Sequence, residues 1–231
     1  MTDADDVTPL SRTAAQTPVE AAGWRYLVGA LQLQVPVGSL RQGCLLAGAA
    51  TTAAGADADG HLAVDVRHDR VVLTVQTRAL SAVTARDVAL AGRVSAALPA
   101  AAGDDEHRPQ QVEIAIDAVD VPAVRAFWKA VLAYVDDAPT PSGALNQIVD
   151  PAGRMPAVWF QQMDAERPQR NRIHLDVVVG HDEGERRVAA ALAAGGRLVS
   201  DRRARAFWVL ADVEGNEACV CTWLDRDPRG A

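Results

Sequence analysis

From residue 112 onward the sequence carries a weak internal repeat, and no other feature constrains the fold as much. Residues 112–116 alternate as a strand, 121–133 have helical spacing, and 148–153 lead into a second strand at 157–160. The pattern then recurs: a strand at 173–179, a helix at 183–194, and a run at 208–215 leading into a strand at 218–221. Glu113 and His174 stand 61 residues apart, while Asp150 and Asp212, like Gly153 and Gly215, stand 62 apart. Two such copies predict paired βαβββ modules forming one pseudo-symmetric domain. A cleft between their sheets is where a ligand is expected to bind.

The first hundred residues read differently, as helix, hairpin, helix, hairpin, helix. Residues 10–22 form the first helix, and 24–35 a hairpin turning at Gly29-Ala30. A second helix spans 38–56 with Ser39 as its cap. Strands at 62–66 and 71–75 flank the polar turn His68-Asp69-Arg70, and a last helix covers 84–98. Thr84 is a natural N-cap, with Asp87 in the capping-box position three residues on. Residues 99–109 have linker composition. The expected fold class is α+β: a tail at 1–8, an α/β sandwich at 9–98, a linker at 99–110, the paired modules at 111–225 and a tail at 226–231. With 49% apolar residues among 231, both domains can bury a core.

Charge and cysteine content exclude several roles. Residues 1–103 carry 8 Arg against 9 acidic residues, and the remainder 15 basic against 21 acidic, so both parts of the net −7 are acidic. Neither half has the basic excess of a nucleic-acid binder, and no nucleic-acid partner is expected. Cys44, Cys219 and Cys221 do not form a disulfide framework. Cys219 and Cys221 share one face if they lie on a strand. No run of about 18 apolar residues occurs, and the acidic N-terminus is followed by no apolar stretch, so neither a membrane span nor a signal peptide is expected and the cytoplasm is the expected location. Four of the five tryptophans, Trp128, Trp159, Trp208 and Trp223, lie in the second half. This places the expected cleft there and suits a flat or apolar organic ligand. Arg170 and Arg172 flank the His174 strand and could meet an anionic group on it.

The second half, over about 111–224, resembles the glyoxalase-like branch of the vicinal oxygen chelate superfamily. The resemblance rests on Glu113-Ile-Ala-Ile-Asp-Ala-Val-Asp120, Phe127-Trp128, Leu132-Ala-Tyr134, Asn171-Arg-Ile-His-Leu-Asp176 and Asp212-Val-Glu-Gly-Asn-Glu217. It implies a ligand-binding cleft, here assigned to Glu113, Gln161, His174, Cys219, Trp128 and Trp208. It also implies that metal-dependent members hold a divalent ion through His or Glu at the first strand and near the last strand of each copy. Those positions fall on Glu113, His174 and Cys219, with the fourth near Gln161 or Gln162, or at Ala157. This set is incomplete for a hard divalent ion, so no cofactor is expected to be required. A bound metal would use Glu113, His174 and Cys219.

The first half, over about 8–98, resembles pterin-4a-carbinolamine dehydratase through Gly23-Trp24-Arg25, Gly60-His61-Leu62, the strands around 64–77, and Thr84 with Asp87. The resemblance implies an acid–base site of three histidines and an aspartate. Here Gly60 and Arg78 occupy two of the histidine positions, and only His61 and Asp87 remain as a candidate catalytic pair. An arginine stays protonated and cannot act as a base. The expectation is therefore a small-molecule-binding or repurposed glyoxalase-like protein with a degenerate dehydratase-like domain. The alternatives are a working 4a-hydroxytetrahydrobiopterin dehydratase or a metal-dependent glyoxalase- or dioxygenase-type enzyme. Dehydratase-fold domains pair readily, so a homodimer is a further expectation.

Overall fold

The computed structural model describes residues 8–98, 109–137, 146–166 and 173–225. Most of the expected linker, the two Arg170 and Arg172 positions and nearly all of both expected tails lie outside these. The chain divides into two compact units, residues 1–111 and 112–231. Among the described residues no helix is long and apolar enough to cross a membrane.

In the first unit the elements run α1 (Arg12–Gln16), β1 (Arg25–Leu27), β2 (Ala30–Pro36), α2 (Leu40–Ala54), α3 (Ala58–His61), β3 (Leu62–Val66), β4 (Arg70–Val75) and α4 (Ala85–Ala97). One antiparallel sheet has the order β1-β2-β4-β3. Alternation puts Leu31, Leu33 and Val35 of β2 and Val71, Leu73 and Val75 of β4 on the buried face, under Leu46 and Ala50 of α2 and Leu90, Ala91 and Val94 of α4. Trp24 is fully buried, and its indole N–H donates to Ser95 Oγ at 2.8 Å, fastening the segment before β1 to the last helix.

Three local expectations change. The first helix stops at Gln16 and gives way to a 3-10 turn at Glu20–Ala22, because Pro18 has no N–H to carry the helical ladder on. The first hairpin turns one residue early, at Val28-Gly29, both with positive φ as a two-residue hairpin turn of the right twist requires. The short α3, ending in His61, occupies what reads in sequence as a loop.

In the second unit the order is β5 (Glu113–Ala118), α5 (Val121–Leu132), β6 (Val135–Asp136), β7 (Gln147–Val149), β8 (Ala157–Gln162), β9 (Leu175–Val178), α6 (Gly184–Ala193), β10 (Arg197–Arg203), β11 (Phe207–Ala211) and β12 (Glu217–Cys221). The two modules have the same topology. One sheet is ordered β5-β8-β7-β6 and the other β9-β12-β11-β10, each with its first strand parallel to its last. Ile114, Ile116 and Ala118 on β5 match Leu175, Val177 and Val179 along β9 as the side packed into the common core with α5 and α6. Trp208 lies on that side too. Its ring approaches Gly184 at the start of α6 so closely that a Cβ there would stand 3.0 Å from the Trp208 Cζ3.

The modules are tied by polar contacts as well as by core. The Glu214 carboxylate, from the turn before β12, accepts from the backbone N–H of Val119 (2.8 Å) and Asp120 (2.6 Å) at the start of α5. Trp128 of α5 donates its indole N–H to Asp212 Oδ2 at 3.0 Å.

Candidate functional site

A cavity of about 540 Å³ opens in the second unit, within the range of small-molecule sites. Its wall is built from Ile114 to Asp117 on β5, from Ile173 to Leu175 leading into β9, from Trp128 and Met163, and from the turn Glu214 to Glu217. Both β5 and β9 are edge strands, each paired on one side only. The turn is held by Asp212, which is fully buried. Its Oδ1 accepts from the backbone N–H of Glu214 (3.0 Å) and Asn216 (2.9 Å), and its Oδ2 from Asn216 Nδ2 (2.7 Å) and the Trp128 indole. Four donors offset the cost of burying that carboxylate. The wall combines an apolar floor (Ile114, Ile116, Leu175, Trp128) with Asp117, Glu214, Glu217, His174 and Asn216, and among the described residues it has no lysine or arginine.

Of the residues expected in the cleft, Trp128 and His174 line this cavity. Glu113, Gln161, Cys219 and Trp208 are off its wall. Trp208 pairs with Val220 and so faces the core with it, one step out of phase with the opposite face. Gln161 is exposed on β8, opposite Asp117. Trp223 is exposed and stacks at a tilt on His181, ring centres 5.3 Å apart.

Strand register sets the correspondence between modules. Ala115 is opposite Trp159, and Asp176 is opposite Cys219. With Glu113 matched to His174, the partner of Cys219 in the first module is thus Trp159, rather than Ala157, Gln161 or Gln162. An indole is no metal ligand, so at most three of the four family positions could supply one here.

His174, Asp176 and Cys219 do come together. Their ligand atoms all lie within 4.8 Å of one another, and His174 Nε2 is 3.4 Å from Asp176 Oδ1. Glu113 is not part of this cluster. Burial, and then the nearby Asp176 carboxylate, push the Cys219 thiol up to about 11. Asp176 enters the sequence analysis only as the end of the 171–176 motif, with no site role, although His-x-Asp at the head of a strand places both side chains on one face.

In the first unit, His61 Nδ1 is 2.7 Å from Asp87 Oδ1. Asp87 Oδ2 accepts from Thr77 N (3.1 Å), Thr77 Oγ1 (2.7 Å), Thr84 N (2.7 Å) and Thr84 Oγ1 (3.0 Å). The capping box expected at Thr84 and Asp87 is present. Asp87 therefore both starts α4 and orients a single imidazole through Nδ1. Arg78, where the dehydratase resemblance implies a third histidine, donates to the Leu62 carbonyl at 2.8 Å. Gly60 offers no side chain, and a Cβ there would meet open space.

Residues 113–221 match the family model described as a glyoxalase-like domain. Comparison with curated proteins gives no match. Among solved structures, hypothetical protein SA1046 from S. aureus is similar at 15% identity, covering 51% of this chain and 97% of its own, with a TM-score of 0.41. The fosfomycin resistance protein FosX from Mesorhizobium loti is 9% identical, covering 48% and 90%, with a TM-score of 0.40. A glyoxalase/bleomycin resistance protein/dioxygenase family enzyme from Burkholderia phytofirmans PsJN is 17% identical, covering 48% and 95%, with a TM-score of 0.39. With the repeated βαβββ topology described above, the family match makes the second unit, over residues 113–221, a glyoxalase-like domain.

Proposed function

We propose that this chain is a small-molecule-binding protein whose ligand site is the cavity of the glyoxalase-like domain. The observation that carries the reading is the wall of that cavity, an apolar floor with Trp128 rimmed by Asp117, Glu214 and Glu217. Apolar area supplies affinity, and the carboxylates on the described part of the wall favour a ligand that donates hydrogen bonds or carries a positive charge. The ligand class is a compact aromatic or aliphatic amine. A thermal-shift titration with small aromatic amines and size-matched aromatic carboxylates tests it. The amines are expected to raise Tm in a saturable way, equivalent to about 2.7 kcal/mol at a hundredfold excess over Kd. Ala115→Phe, which places a ring in the cavity, is expected to abolish the shift. Shifts from the carboxylates alone, or none from either set, would remove the reading.

The first unit is proposed to be a dehydratase-like module without dehydratase activity. Elimination of water from a carbinolamine needs an acid for the leaving hydroxyl and a base for the nitrogen proton. One oriented imidazole, His61, is left to serve both. Each missing general acid or base costs about 100- to 10,000-fold. Mixed with the pterin carbinolamine, the protein is expected to give the rate of buffer alone. A faster rate that His61→Ala abolishes would restore the dehydratase reading.

A further inference from the structure

The geometry points to a metal-ion site carried by the second module alone, formed by His174, Asp176 and Cys219. His174 and Asp176 are two residues apart at the head of β9, and Cys219 is opposite Asp176 across the parallel β9–β12 ladder. The sheet itself thus brings three side chains of different chemistry to one spot, with their ligand atoms within 4.8 Å. The His174–Asp176 separation of 3.4 Å is long for a charge-assisted hydrogen bond, which closes to about 2.7–2.9 Å. It is close to the ~3.3 Å edge of a tetrahedron of ligand atoms about 2.0–2.1 Å from zinc, and the remaining pairs, within 4.8 Å, would have to draw in to similar distances around an ion. Imidazole, carboxylate and thiolate together select zinc or cobalt over magnesium or calcium, which prefer all-oxygen sets.

This set departs from the one that the family resemblance implies. There, ligands come from both modules. Here the first module offers Trp159 and Ala115 where the second has Cys219 and Asp176, and Glu113 stands outside the cluster. Asp176 supplies the third ligand in place of a residue from the first module. Three protein ligands leave one position of a tetrahedral ion for water or a bound molecule. His174 also belongs to the cavity wall, so an ion held there would lie beside the proposed ligand site. The inference goes beyond the ligand reading and shares with it only His174.

Cobalt(II) titration of the full chain, stripped with chelator and kept reduced, tests the site without reference to activity. One equivalent is expected to bind, with visible bands of tetrahedral intensity and a thiolate-to-cobalt charge-transfer band. Cys219→Ser is expected to remove the charge-transfer band, and Cys221→Ser to leave it. Asp176→Asn and His174→Ala are each expected to weaken binding by ~100-fold or more, beyond the 10- to 100-fold effect of disturbing a ligand's own support. Glu113→Gln is expected to leave Kd within about twofold, because that carboxylate lies outside the ligand set. Asp176 and His174 are exposed, so their variants keep the fold and carry the test even if Cys219→Ser does not express. Absence of stoichiometric cobalt, a charge-transfer band that survives Cys219→Ser, or binding that needs Glu113 and not Asp176 would overturn the inference. Amine-induced stabilisation that persists in a protein binding no cobalt overturns the metal site and leaves the ligand reading standing.

Discussion

Asp212→Ala is expected to cost the second unit about 3–5 kcal/mol, a large part of the 5–15 kcal/mol available to a typical domain. The carboxylate is fully buried and accepts from four donors, of which the Trp128 indole is itself buried. Alanine leaves those donors facing a void. The turn Glu214 to Glu217 then loses its anchor, and with it one wall of the cavity and the Glu214 clamp on α5. Asp212→Asn keeps the shape and one acceptor but turns an NH2 group toward donors, so it is expected to fall between wild type and alanine. Urea unfolding followed by tryptophan fluorescence reads this well, because four of the five tryptophans are in the second unit. A loss below about 1 kcal/mol, no more than one ordinary hydrogen bond, would show that the network is not what holds the turn.

Asp87→Ala is expected to have a comparable effect on the first unit. Its carboxylate is fully buried and joins the loop after β4 to the first turn of α4 through Thr77 and Thr84. Loss of the cap alone costs about 1 kcal/mol. The buried Thr77 and Thr84 groups left without an acceptor raise the total to about 3–5 kcal/mol. For a domain of this size that corresponds to a fall of roughly 15–30 °C in the first unit's calorimetric transition. His61→Ala removes one of the five bonds to that carboxylate and is expected to cost much less. If the two variants melt together, the network is centred on His61 instead of Asp87. The contrast separates a structural carboxylate from one retained for its imidazole.

Local signals in the sequence were sufficient for most elements. Ser39 caps α2 by accepting from Gln42 N at 3.2 Å, and Thr84 and Asp87 form the capping box that their spacing implies. The repeat gives two modules of identical strand order. The site was less legible, because it depends on quantities that spacing does not carry. Between Asp150 and Trp159 lie two more residues than between Asp212 and Cys219, so counting along the repeat misplaces the first module's equivalent of Cys219. Strand phase cannot be counted through loops of unequal length. Trp208 shows the related difficulty. An aromatic on a strand can face cleft or core, and only its pairing with Val220 decides which. Asp212 and Asp150 begin similar Asp-to-Gly segments, yet Asp150 accepts from Ala152, Arg154 and Met155 in its own turn, whereas Asp212 also reaches Trp128 in the other module.

The parallel ladders also set the order in which the chain can fold. In the first unit β1 with β2 and β3 with β4 are hairpins that close over short loops. In the second, Glu113 finds Ala157, and Leu175 finds Ala218, only after an entire module has been made. Closing so long a loop loses chain entropy before any pairing compensates, and such topologies fold slowly. During synthesis from the N-terminus, the first unit can complete its sheet while β5 still has no partner. For that interval β5 and then β9 are bare strand edges, the form in which nascent chains misassemble. The half of the protein that bears the cavity is therefore also the half with the longest exposure to aggregation.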